Sequence, residues 1–122
     1  MTFQYVKIDH VQLAAPRNCE QEAIAFYHGI LGFRILEKPD TLQGNGGVWF
    51  QAGDVQLHIG IDEAFSPARK AHPAISLTNL EALSNHLSTN GIPVIHDSRL
   101  PGANRFYLSD PFGNRIEFLE WK

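Results

Sequence analysis

The stretch from Arg105 to Trp121, RFYLSDPFGNRIEFLEW, reads as two strands joined by a tight turn. Phe106 and Leu108 alternate with Arg105 and Tyr107, and Ile116 and Phe118 alternate with Arg115 and Glu117, the period of two that belongs to a strand. Between them Asp110-Pro111-Phe112-Gly113-Asn114 gathers the residues that favour turns: Pro sets φ, while Gly and Asn tolerate left-handed backbone. One face of this hairpin is apolar. The other carries Arg105, Tyr107, Arg115 and Glu117.

Upstream of the hairpin, Ala74 to Leu77 is a short apolar strand. Thr78 with Glu81 three residues later has the spacing of a capping box for a helix carrying Leu80, Leu83 and Leu87. Gly91 stops that helix, and Ile92 to His96 reads as a further strand, so this half runs β-α-β-β-β. The first half repeats the order. Tyr5 to Leu13 is a strand, and Asn18 with Gln21 opens a helix through Ala23, Phe26, Tyr27 and Ile30 that ends near Gly29. Phe33 to Leu36, Val48 to Gln51 and Val55 to Ile61 then follow, with a glycine-rich loop at Gly44 to Gly47 and a turn at Gly53-Asp54. The 122 residues are the size of one domain, read here as two modules, about 1–62 and 63–122, with Asp62 to Ala71 as the seam. The fold class is α+β: two paired βαβββ modules related by a pseudo-twofold.

Superposing the halves puts His10 opposite His72, each in a leading strand, and His58 near Glu117, each in a final strand. In the fourth strand Val55, Leu57, Ile59 and Ile61 share a face, and Gln56, His58 and Gly60 look the other way. In the fifth strand Ile75 and Leu77 oppose His72, Ala74 and Ser76 by the same rule. The first strand is ambiguous, because Val6, Ile8, His10 and Gln12 share one parity. A polar sheet face is ordinarily washed by water. Imidazole and carboxylate are also the donors that divalent metals take with N/O chemistry, and a repeat that matches them in position can converge them on one ion. His28 and His86 fall in helices and His96 at a strand end, so they read as structural, and Cys19 as an inert thiol.

Composition narrows the function classes. Ten Lys+Arg against thirteen Asp+Glu leave a net charge of -3, which supplies no basic surface for nucleic acid. No apolar run reaches the roughly 20 residues that cross a bilayer. One cysteine and no charged-then-apolar leader make a cytoplasmic protein the expectation.

Ile8-Asp9-His10-Val11, then Phe26-Tyr27 followed by Leu31-Gly32-Phe33, then Asp110 to Glu117 in the pattern DPFGN-x-IE, together resemble the glyoxalase/bleomycin-resistance/extradiol-dioxygenase group, the vicinal oxygen chelate superfamily. The resemblance covers nearly the whole chain. It implies paired βαβββ modules curled around a metal and substrate cup, often completed by a second subunit in a homodimer. It also implies that His10, His72 and Glu117 stand at the family's His, His and Glu ligand positions. His58 falls where glyoxalase I has a carboxylate implicated in moving the substrate proton, so here Glu117 is the one carboxylate able to do so.

The expected site is therefore His10, His58, His72 and Glu117 around a divalent ion (Ni, Co, Mn, Fe or Zn). Glu117 doubles as general base, and Arg105, Tyr107 and Trp49 contact a small, anionic substrate with two neighbouring oxygens. A lyase or isomerase of the glyoxalase kind is the leading reading. The alternatives are an extradiol-type ring-cleaving dioxygenase built on His10, His72 and Glu117, thiol transfer to a phosphonate antibiotic, and a metal-free drug-binding dimer of the bleomycin-resistance kind.

Overall fold

A computed structural model describes residues 2–122, so Met1, counted above in the first module, lies outside the described residues. In the first half β1 (Val11–Ala15) is followed by α1 (Glu20–Ala23), which widens into a π-type helix over Ile24–Ile30. Then come β2 (Arg34–Leu36), a 3-10 turn at Asp40–Asn45, β3 (Val48–Ala52) and β4 (Val55–Ile61). The second half keeps the order with β5 (Ala74–Ser76), α2 (Leu80–Thr89), β6 (Ile95–His96), β7 (Ala103–Ser109) and β8 (Arg115–Trp121). Two open four-stranded sheets result, ordered β1-β4-β3-β2 and β5-β8-β7-β6. In each sheet the leading strand runs parallel to the last and the remaining pairs are antiparallel. The chain is thus the expected α+β fold of two βαβββ modules.

Both sheets turn their apolar parity into one shared core. Val48, Phe50, Leu57 and Ile59 from the first sheet and Ile75, Phe106, Leu108, Ile116 and Phe118 from the second pack there with Phe26 and Tyr27 of the π-type helix and Leu80 and Leu87 of α2. The opposite parities, which carry Trp49 and His58 in one sheet and Arg105, Tyr107 and Glu117 in the other, look away from that core. For β1 the ambiguity resolves: Val11 and Leu13 pack against the core and Ala15 is buried in it, so Gln12 takes the site side, opposite His58 in register.

The turn at Asp110 to Asn114 fastens the modules together. Asp110, almost fully buried, accepts hydrogen bonds from Tyr27 Oη at 2.7 Å, the Phe112 and Asn114 amides at 2.9 and 2.8 Å, and Asn114 Nδ2 at 3.0 Å. Asn114 Nδ2 also donates to the Ala14 carbonyl of β1 at 2.7 Å. Gly113, at φ +91°, supplies the left-handed residue that closes the turn. Burial and the adjacent Asp110 carboxylate push the Tyr27 phenol up, so it stays a proton donor.

Several expected boundaries shift, each for a tertiary reason. The first strand begins at Val11 rather than Tyr5, because β4 offers partners only from Leu57 onward; Phe3, Tyr5, Val6 and Ile8 are left exposed in an arm outside the sheet. Likewise His10 and His72 sit just ahead of β1 and β5 rather than within them. The expected strand from Ile92 shortens to Ile95–His96, since Pro93 cannot donate to a ladder. The loop before β3 holds the 3-10 turn. Neither expected capping box forms. Asn18 takes left-handed backbone and Cys19 stands at the start of α1 with no side-chain cap.

In α2 the cap is Asn79, also left-handed, whose side chain accepts from the Ala82 amide. Glu120 of β8 reaches across to accept from the Asn79 and Leu80 amides at 2.8 and 3.0 Å. Those two bonds hold the Glu120 carboxyl below its usual range. A depressed carboxylate contributes stability above its unfolded value near 4.5, and that contribution is lost as pH falls through the folded value. Glu120→Gln is therefore expected to lower the urea midpoint at pH 7, with the gap from wild type narrowing as pH falls below 4.5. A gap that persists undiminished in acid contradicts the assignment.

Candidate metal centre

Each sheet presents one pair of donors. On the first, His58 is sandwiched between two rings: Trp49, its register partner, at 4.0 Å between centroids and 4° between planes, and His10 at 4.0 Å and 15°. On the second, His72 Nε2 lies 3.0 Å from Glu117 Oε1, and both His58 and Glu117 are almost fully buried. The repeat places Trp49 opposite His58 and Tyr107 opposite Glu117, so equivalent strand positions build both half-sites.

Each of the three imidazoles has one nitrogen committed to an oxygen. His10 Nδ1 donates to Asp9 Oδ1 at 2.9 Å, His58 Nε2 to Gln56 Oε1 at 2.7 Å, and His72 Nδ1 to the Lys70 carbonyl at 2.6 Å. For His10 and His58 the other nitrogen has no hydrogen-bond partner among the described residues, the orientation by carboxylate or carbonyl that metal-binding histidines use. Burial, then the positive field of His10, holds His58 below the usual imidazole range, which keeps its lone pair available at neutral pH. His72 differs. Both of its nitrogens face oxygens, Nδ1 the Lys70 carbonyl at 2.6 Å and Nε2 Glu117 Oε1 at 3.0 Å, so either a proton on Nε2 or a cation between the two groups satisfies the pair. The donor set fits a divalent metal of N/O preference.

Behind Glu117 stands a charge chain. Arg105 Nη1 donates to Glu117 Oε2 at 3.4 Å, and its Nη2 lies 3.3 Å from Asp97 Oδ2, which Arg99 also grips at 2.6 Å. The Arg99 side chain and amide, then the nearby Arg105 charge, hold the Asp97 carboxyl far below the usual range. Arg105 was expected to meet substrate; its guanidinium lies between two carboxylates, and its buried Nε has no hydrogen-bond partner among the described residues. Lysine keeps the charge but lacks the fork that reaches both carboxylates. Arg105→Lys is thus expected to weaken metal binding by roughly tenfold, the usual effect of losing an orienting partner, measured by chelator competition. Unchanged affinity contradicts the role.

The four expected ligands come together as two pairs; among the described residues no three of His, Cys, Asp and Glu converge within one chain. Asp9, Gln56 and Asp97 were missed. Asp9 is signalled by its position beside His10, whereas Asp97 reaches the site only because β6 lies against β7. The structural readings agree with the geometry elsewhere: His28 and His86 donate to the Phe33 and Ile30 carbonyls at 2.7 Å. Cys19 is buried, and that burial with the neighbouring Glu20 carboxylate pushes its thiol up to about 11.

The sequence profile of the Glyoxalase/Bleomycin resistance protein/Dioxygenase superfamily matches residues 7–118, and the chain belongs to this superfamily. A crystal structure of a glyoxalase family protein from Bacillus anthracis is similar over 100% of both chains, at 47% identity and a TM-score of 0.97. The fold is shared by a lactoylglutathione lyase from Agrobacterium tumefaciens, at 23% identity, 93% and 92% coverage and a TM-score of 0.73. A fosfomycin resistance protein from Listeria monocytogenes also shares it, at 12% identity, 98% and 96% coverage and a TM-score of 0.76. No curated protein matches the chain. Among the described residues no helix is long and apolar enough to cross a membrane.

Proposed function

We propose that the protein is a metal-dependent lyase or isomerase of the glyoxalase kind, working as a homodimer. One site would be held by His10 and His58 of one copy together with His72 and Glu117 of the other. The reading of a metal is supported by the pairing of donor side chains on each polar sheet face, His10 with His58 and His72 with Glu117. The dimer is supported by the outward-looking polar faces of both sheets and by the exposed apolar arm of Phe3, Tyr5, Val6 and Ile8 leading into His10. A second copy is the natural cover for such surface.

When bound, a divalent cation here supplies Lewis-acid stabilisation of negative charge developing on a substrate oxygen. Glu117 is the carboxylate placed to take a proton from the substrate carbon and return it to the neighbouring one, since its Oε2 is held by Arg105 and its Oε1 faces the site. Trp49 and Tyr107 form the apolar walls at equivalent positions of the two modules.

A ring-cleaving dioxygenase is a second reading, favoured by the sandwiching of His58 between two rings with its Nε2 on Gln56. If that ring stays out of coordination, His10, His72 and Glu117 form the two-His-one-carboxylate set suited to Fe(II). Protein purified without chelators is expected to contain a divalent metal, to melt higher when Ni, Co, Mn or Zn is added, and to isomerise a hemithioacetal while leaving catechol intact. Catechol cleavage with Fe(II) would select the second reading. No metal content and no change in melting with any of these ions or Fe would leave a metal-free binding protein.

A further inference from the structure

We infer that the cleft between the seam and the β7–β8 turn is a subsite for an anionic oxygen group of the substrate, a carboxylate or a phosphate-type oxyanion, gripped by Arg115 and Arg69 beside the Tyr107 ring. Its part in turnover rests on the metal reading above; its binding of anions does not.

The cleft has a volume of ≈ 570 Å³, within the range of small-molecule sites, and Pro67, Ala68, Pro93 and Ile95 give it an apolar rim. Arg69 and Arg115 both line it. Among the described residues Arg17, Arg99 and Arg105 each meet a carboxylate, whereas Arg69 and Arg115 meet none. Arg115 is nonetheless held in place: its guanidinium carbon stands 4.0 Å above the centroid of the Tyr107 ring. That stacking fixes one face of the fork and leaves its N–H edge free for a planar anion. Tyr107 is itself almost fully buried and lines the cleft beside Arg115.

Tyr107 also ties the cleft to the metal half-site. His72 meets its ring edge-on at 5.4 Å, and Tyr107 pairs in register with Glu117. An anion seated on Arg115 therefore lies one aromatic ring away from His72. The substrate class this selects is a molecule with two neighbouring oxygens for the ion and an anionic group a few bonds further on.

The test titrates metal-free protein with inorganic phosphate and, in a separate arm, with acetate, following arginine side-chain NMR shifts. The arm with the tighter binding identifies the anion. Arg115→Gln and Arg69→Gln are each expected to weaken binding of that anion by roughly tenfold, with Arg115→Lys falling between because a point charge replaces the fork. Arg34→Gln, whose guanidinium donates to Gln51 on a distant strand, is expected to bind as wild type. Metal affinity of Arg115→Gln, measured by chelator competition, stays at the wild-type value. Neither anion shifting the Arg115 or Arg69 signals, or equal affinity in wild type and the Arg69→Gln/Arg115→Gln double variant, overturns the proposal. Wild-type protein that binds the anion through these arginines but takes up no metal supports the subsite and overturns the metal reading alone.

Discussion

Replacing Glu117 by Gln is expected to lower metal affinity on the order of 100-fold or more, beyond the 10-fold to 100-fold typical of losing an orienting partner, because it removes the one carboxylate among the four proposed ligands. The fold should survive. A glutamine amide can donate to a neutral His72 Nε2 in place of the present 3.0 Å contact, and Arg105 can still donate to the amide oxygen. Circular dichroism of the metal-free variant should match wild type, while the rise in melting temperature on adding metal disappears. Chelator competition is the direct reading, and affinity within about threefold of wild type, a change of less than 1 kcal/mol, would show that Glu117 is not a ligand.

Asp110→Ala is expected to produce the largest loss of stability of any single substitution in the turn. It strips the acceptor from Tyr27 Oη, two backbone amides and Asn114 Nδ2, most of them buried, at a site 5% exposed. Leaving buried donors without partners costs about 1–3 kcal/mol each, and the Asn114 amide nitrogen keeps its bond to the Ala14 carbonyl, so a total of about 3–5 kcal/mol is expected. That is a large share of the roughly 5–15 kcal/mol that holds a domain together. Tyr27→Phe, which removes a single hydroxyl, should cost only about 1 kcal/mol. Urea unfolding of the two variants measures both; equal, small losses would show that the turn does not fasten the modules.

Those two positions illustrate how far the sequence could be read. Strand parity is a local property, so the alternation around Arg105, Tyr107 and Glu117, and of His58 against Leu57 and Ile59, places each on the polar face where the structure puts it. The β-α-β-β-β repeat was legible for the same reason. Helix starts were not. The spacing of Asn18 with Gln21 and of Thr78 with Glu81 imitates a capping box, yet α2 is capped by Asn79 and by Glu120, the latter some forty residues away and brought there by the pairing of β5 with β8. The arm before Val11 has strand-forming residues but no strand of its own sheet to join. Asp97 carries no local mark at all, because its meeting with Arg105 depends on a two-residue strand. Of the four proposed ligands, His58 and Glu117 were legible by parity, whereas His10 and His72, which stand ahead of their strands, were legible only by type; whether the four meet depends on whether modules are shared between copies.

That sharing can be measured by mixing two inactive variants. A chain with His10→Ala and His58→Ala has a dead first half-site; a chain with His72→Ala and Glu117→Gln has a dead second one. Each homodimer is predicted to bind no metal. If a site joins the first module of one copy to the second module of the other, the mixed dimer contains one site with four intact ligands. Refolding the two chains together and isolating the mixed species should then restore one metal ion per dimer, by elemental analysis. A mixed dimer that binds no metal, alongside wild type that does, would contradict the account by placing all four ligands of a site within one chain.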